Sequence, residues 1–204
     1  MNTNKRVDLK IIILGSFGVG KTSLLNRYVN NRFTEDYRNT LGANILTKAI
    51  GVDSTSVKLQ IWDTGGQERF KSLVHSFSKG SDGCVLVFDV TDRDSFYALE
   101  GWREEILLQI PLEHQDYTFV VLGNKVDITE RQVTSDEAEV WCRARSIPYF
   151  EVSAKEDINV DHAFENIARN ALLQDSEWKD CYLTNSISLG DDKTSTRQNC
   201  CCLS

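Results

Sequence analysis

Gly15-Ser16-Phe17-Gly18-Val19-Gly20-Lys21-Thr22 combines glycines, a lysine and a hydroxyl at the spacing that cradles phosphate. The glycines let backbone N–H groups approach phosphate oxygens. Lys21 reaches the outer phosphates, and the Thr22 hydroxyl can ligate a divalent cation. A second cluster, Asp63-Thr64-Gly65-Gly66-Gln67, ends an apolar run. Asp63 is placed to hold the cation through a water, Gly66 to offer an N–H to a terminal phosphate, and Gln67 to orient an attacking water. The third is Asn124-Lys125-Val126-Asp127. The Asp127 carboxylate matches the two donors on the N1 and N2 edge of guanine, and adenine would leave it unpaired. Backbone N–H groups of Ser153-Ala154-Lys155 can meet guanine O6. Thr40, in the polar segment Thr34–Gly42, can close onto cation and terminal phosphate while that phosphate is present. Phe33 can lie against the base. Taken singly, several of these have plainer readings: a turn aspartate, a weak four-residue match, an ordinary loop, a solvent-facing threonine. Their order behind an intact phosphate loop favours chemistry.

Such residues need strands to end beneath them. Apolar runs at Leu9–Leu14, Asn44–Ile50, Val57–Trp62, Gly83–Asp89, Thr118–Leu122 and Tyr149–Glu151 read as strands. Several are continuous rather than alternating, as in sheets covered on both faces. Helical spacing marks Lys21–Val29, Asp94–Ile110, Ser135–Arg145 and Val160–Leu173. Pro111 should stop the second helix, and Thr134 with Glu137 forms a capping box for the third. The expected fold is α/β: a six-stranded, mostly parallel sheet flanked by helices, with ligands beyond the carboxyl ends of the strands. Residues 1–174 read as one domain, and 175–204, polar and without sustained periodicity, as a flexible tail.

Composition narrows the partners. A net charge of −7 argues against nucleic acid. No run is long and apolar enough to span a bilayer, the N-terminus lacks a signal-peptide pattern, and Asn2 excludes N-myristoylation. A cytosolic chain is expected. Cys84 and Cys142 lie in apolar surroundings and read as reduced core residues, whereas Cys200, Cys201 and Cys202 cluster at the end.

With these motifs in order, the sequence resembles a small GTPase of the Ras superfamily over residues 8–174, and within it a Rab. Lys58–Trp62, Arg69–Leu73 and Val85–Thr91 resemble Rab segments. Leu46–Lys48, Trp62, Leu122–Lys125, Ile147–Phe150 and Ile167–Ala171 are similar to the Rab-seven, late-endosomal branch. The resemblance implies a GTP/GDP switch with Mg²⁺, hydrolysing GTP slowly unless an activator accelerates it by about 10³–10⁵. It implies nucleotide contacts from Gly15, Ser16, Phe17, Gly18, Val19, Gly20, Lys21, Thr22, Ser23, Phe33, Thr34, Tyr37, Thr40, Gly66, Asn124, Lys125, Asp127, Ser153, Ala154 and Lys155. Mg²⁺ would be held by Thr22, Thr40 and Asp63, and Gln67 would be catalytic. Implied partners are an exchange factor, a GTPase-activating protein, a prenyl escort, a GDP-dissociation inhibitor and effectors at two switch loops. A monomer is expected. The implied location is the cytoplasmic face of late endosome, lysosome or trans-Golgi membranes, with a cytosolic pool.

The chain departs from the family pattern in three places. Phe17 stands where a small residue is usual, and its ring either obstructs an activator or attacking water, or points to solvent. Gly65 replaces the usual alanine. Asn44 and Ile45 replace an acid and an aromatic, reducing the effector-facing triad to Ile45, Trp62 and Phe77. At the terminus, Cys201 and Cys202 are the expected prenylation pair, with Cys200 as alternate. Read instead as a C-a-a-X box, Cys201 alone would carry farnesyl. From residue 175 five acids oppose three bases, so no polybasic patch assists a single lipid and two are favoured. Two other readings stay open: a GTP-binding scaffold with very weak hydrolysis, favoured by Phe17 and opposed by Gln67, and an ATP-using enzyme, opposed by Asp127.

Overall fold

Along the first strand every side chain from Ile11 to Leu14 is buried, yet neighbours enter different cores. Ile11 and Ile13 join one cluster, Ile12 and Leu14 the other. Alternation across a strand sends successive residues to opposite faces. A continuous apolar run therefore requires cover on both sides, and the computed structural model supplies it. It describes residues 6–34, 43–53, 55–64, 76–110 and 117–187.

Six strands form one sheet: β1 (Arg6–Leu14), β2 (Ala43–Val52), β3 (Thr55–Thr64), β4 (Gly83–Asp89), β5 (Thr118–Asn124) and β6 (Tyr149–Val152). Their order is β2-β3-β1-β4-β5-β6. Only the β2–β3 pair is antiparallel, with Ile45 opposite Trp62, and the remaining pairs run parallel. From β1 the chain goes first to one side of the sheet and then to the other. The carboxyl end of β1 is thus a topological switch point, where ligands bind in such folds.

Besides a helical stretch at 76–78, the described residues include α1 (Lys21–Asn30), α2 (Arg93–Leu107), α3 (Ser135–Arg143) and α4 (Val160–Ile187). Leu24, Leu25 and Tyr28 of α1 pack with Phe164 and Ile167 of α4 on one face. Phe96, Leu99 and Ile106 of α2 pack with Ala138 and Cys142 of α3 on the other. Cys84 and Cys142 are buried free thiols, as expected.

The caps explain the helix starts. Asp92 accepts from the backbone N–H groups of Asp94 and Ser95, opening α2 at Arg93, and Thr134 Oγ1 accepts from Glu137 N at 3.2 Å. All four helix ends differ from expectation, the first by a single residue at Asn30. The second helix stops at Leu107, before the approach to Pro111, and the third at Arg143 rather than Arg145. The last helix differs most. Its apolar stripe ends near Leu172, yet the helix continues to Ile187, into the segment expected to be tail from 175. Neither glycine nor proline occurs between Val160 and Ile187, so nothing local breaks the hydrogen-bond ladder beyond the apolar stripe. Residues 188–204, with Cys201 and Cys202, lie outside the described residues.

Candidate functional site

The loop from Gly15 to Gly20 joins β1 to α1. Gly20 caps α1 in a left-handed conformation, φ 96°, and supplies no side chain to bind the helix's first N–H groups. A Cβ there would lie 2.3 Å from Asn124 Nδ2, so only glycine brings loop and β5 this close. Lys21 folds back across the loop, and Nζ donates to the carbonyls of Gly15 at 2.8 Å and Ser16 at 2.9 Å. The side chain is buried, and burial pushes its pKa down to about 8, with Asp63 partly opposing the shift. A cation held where its charge is disfavoured fits a site that receives anions.

Parallel pairing of β1 with β3 places Asp63 opposite Ile13, one residue before the end of β1. Thr22 Oγ1 donates to Asp63 Oδ2 at 2.6 Å. Asp63 is fully buried. Burial raises its carboxyl pKa, against the lowering effects of the Thr22 hydrogen bond and the Lys21 charge. Its other oxygen, Oδ1, is buried without a hydrogen-bond partner among the described residues. An unsatisfied carboxylate oxygen beside a threonine hydroxyl is an oxygen-only donor pair. That suits Mg²⁺, which typically takes one or two protein ligands plus waters and substrate phosphates. The residues present fit the metal. Among the described residues no group of three or more His, Cys, Asp or Glu side chains forms a metal cluster of another kind.

On the other side of the loop, Asn124 is 2% exposed and binds in two directions. Its Nδ2 donates to Val19 O at 2.8 Å, and its Oδ1 accepts from Ala154 N at 3.3 Å. One buried amide thus fastens the phosphate loop, the end of β5 and the Ser153–Lys155 loop together. Ser153 Oγ donates to Asp127 Oδ1 at 2.6 Å and accepts from Glu156 N at 3.0 Å. Lys125 adopts a left-handed φ of 70°, and its Nζ lies 2.6 Å from Asp89 Oδ2.

Of the expected site residues, Gly15 through Ser23, Asp63, Asn124, Lys125, Asp127 and Ser153 through Lys155 therefore gather around the ends of β1, β3 and β5. Phe17 is 45% exposed. Phe33 is half-buried against the core and Thr34 is exposed. Tyr37, Thr40, Gly66 and Gln67 lie outside the described residues.

Two contributors were not anticipated. Asp89, at the end of β4, anchors Lys125 and is itself held by the backbone N–H and hydroxyl of Thr91 at 2.8 and 2.7 Å. Arg27, on α1, donates to the carbonyls of Ala154 and Lys155. A polar residue closing an apolar strand was a readable signal for Asp89. Arg27 offered none, because a basic residue in a helix's last turn reads as a dipole partner.

Residues 10–173 match the model of the Ras family. The chain belongs to the Ras family. It is 58% identical to the "Ras-related protein Rab-7b" of Bos taurus over 98% of this chain and all of that protein, and 55% identical to its Homo sapiens counterpart over the same shares. A GTP-binding protein of Volvox carteri is 50% identical over 99% of this chain and all of that protein. The chain is thus a divergent Rab-seven-like member of the family, a small GTPase, with guanine nucleotide as its class of ligand. The fold expected from the sequence, six strands mostly parallel between helices, is the fold present.

A second cluster of side chains lies on the β2–β3 pair, away from the phosphate loop. Ile45 is 47% exposed opposite Trp62, whose ring meets that of Phe77 at 5.5 Å, tilted by 43°. Lys10 Nζ sits 4.4 Å above the Trp62 ring. No helix among the described residues is long and apolar enough to cross a membrane.

Proposed function

We propose that this chain is a membrane-tethered guanine-nucleotide switch of endosomal traffic that hydrolyses GTP to GDP and phosphate. The observation that carries the reading is the meeting of Lys21, Thr22 and Asp63 beneath the phosphate loop, tied by Asn124 to the loop that bears Asp127's partner, Ser153. Lys21 and the loop's N–H groups hold the phosphates of the substrate. Asp127 pairs with the guanine edge, and Lys125 is steadied beside it by Asp89. Thr22 and Asp63 hold Mg²⁺, with Thr40 joining them when the terminal phosphate is present. Mg²⁺ supplies neutralisation of charge on the phosphate oxygens. Gln67 orients the attacking water, and Gly66 contacts the terminal phosphate through its backbone.

Exchange factor, activating protein, prenyl escort and GDP-dissociation inhibitor act on this switch as regulators. Effectors read Ile45, Trp62 and Phe77 together with the switch loops. Substitution of the usual acid and aromatic by Asn44 and Ile45 gives a partner set that differs from that of other Rabs. Cys201 and Cys202 carry the prenyl groups. The likeness to Rab-7b proteins supports a late-endosomal location, with lysosome and trans-Golgi as neighbouring compartments.

The test is capture of membrane-associated proteins on Gln67→Leu and Thr22→Asn forms. The first should retain effectors and the second the exchange factor. If both retain the same set, the switch reading fails.

A further inference from the structure

Arg27 is the place where the phosphate-side helix grips the base-side loop. Nε donates to Ala154 O at 2.9 Å and Nη2 to Lys155 O at 3.0 Å, across more than one hundred residues of chain. A guanidinium is a rigid fork, so two consecutive carbonyls bound by one arginine have their peptide planes fixed together.

The consequence follows from peptide geometry. The described chain has no cis peptide, and in a trans peptide C=O and N–H point in opposite directions. Fixing Lys155 O on Arg27 therefore turns the N–H of Glu156 away from α1. That N–H donates to Ser153 Oγ at 3.0 Å, and Ser153 Oγ donates to Asp127 Oδ1 at 2.6 Å. Ser153 is fully buried, so its hydroxyl has little freedom to compensate if the loop shifts. An unbroken chain of hydrogen bonds thus runs from Arg27 through the Lys155–Glu156 peptide and Ser153 to the carboxylate that reads guanine.

We propose that Arg27 is a positioning residue for base discrimination: it orients the Asp127 carboxylate through the Ser153–Glu156 loop. This rests on the reading that guanine lies against Asp127. A cation in the last turn of α1 also complements the helix's terminal carbonyls. That effect would stabilise the fold but would not distinguish one base from another.

The discriminating probe is inosine diphosphate, which lacks the 2-amino group and makes one bond to a carboxylate where guanine makes two. Misorientation of Asp127 should therefore cost GDP more than IDP. Dissociation of GDP, IDP and ADP from the full chain with Mg²⁺ is the measurement. Arg27→Met should speed GDP release about tenfold and IDP release about threefold, narrowing the preference. Arg27→Lys, able to hold one carbonyl, should fall between. Ser153→Ala should narrow the GDP/IDP ratio as well, and the double variant should add nothing further, because both break the same chain. Equal acceleration of GDP and IDP, or no change in either, overturns the inference. A wild type that keeps ADP as long as GDP would instead overturn the base-pocket reading itself. A guanine-selective wild type with an unchanged ratio in Arg27→Met and Ser153→Ala overturns the positioning role alone.

Discussion

The two ends of the proposed nucleotide site are built on opposite principles. At the base end the hydrogen-bonding groups meet protein partners: Asn124 binds Val19 and Ala154, Ser153 binds Asp127 and Glu156, and Asp89 binds Lys125 and Thr91. At the phosphate end Lys21 and Asp63 are buried with their charged forms disfavoured, and Asp63 Oδ1 lacks a hydrogen-bond partner among the described residues. On the proposed reading the base end is organised in advance, so a base that fits loses little and one without matching donors leaves Asp127 with Ser153 alone. The phosphate end is arranged for charges that arrive with the ligand. It costs the protein stability, and binding returns it.

Lys21→Met tests this contrast with the largest expected effect. Affinity for GDP should fall by at least about 10³, since a buried charge-assisted contact to phosphate is lost. The nucleotide-free variant should nevertheless melt no lower than wild type, because a lysine with pKa near 8 is charged at neutral pH against its surroundings. The sign follows from linkage. A lysine pKa lowered on folding means the unfolded chain binds more protons between about pH 8 and 10.5, so Lys21's unfavourable contribution is fully present at neutral pH and fades as pH rises through that window. Calorimetry without and with GDP is the measurement. A clear fall in the nucleotide-free melting temperature would show that Lys21 stabilises the loop by itself.

Asn124→Ala should behave the other way. It strips partners from Val19 O and Ala154 N, and each buried group left unpaired costs about 1–3 kcal/mol. The nucleotide-free protein should therefore lose melting temperature, and GDP release should accelerate as both ends loosen together. If Asn124→Ala spares the nucleotide-free protein and harms only binding, the base end is less self-sufficient than its hydrogen bonds indicate.

What could be read from the sequence divides along the same line. The phosphate loop is local: strand, turn and helix follow one another, and Gly83–Asp89 reads correctly because a strand buried on both faces is an unbroken apolar run. The pairing of Thr22 with Asp63 spans 41 residues yet follows from adjacent parallel strands. The base end depends on longer reach. The apolar run ends at Leu122, but β5 continues through Asn124. Gly123 is needed there because a Cβ would lie 2.6 Å from the Tyr149 hydroxyl. Arg27 binds carbonyls 127 and 128 residues away, and no spacing rule reaches so far. The apolar stripe marks the end of α4 too early for a different reason: it reports which residues are apolar, whereas the helix needs only an unbroken ladder.

Phe17 carries the smallest expected effect and sharpens the contrast at its exposed edge. Phe17 is 45% exposed within a loop whose lysine is almost wholly covered, so its ring stands at the loop's rim rather than folded beneath it as Lys21 is. A half-exposed ring at the rim meets an incoming protein before it meets the attacking water. Phe17→Gly should therefore leave unaided single-turnover hydrolysis within about twofold of wild type. The activator-stimulated rate should rise roughly threefold, about 0.6 kcal/mol of barrier. Equal stimulated rates would retire the ring as an obstacle to the activator. A large rise in the unaided rate would place it against the water, and the rim would then belong to the chemistry at the phosphate end.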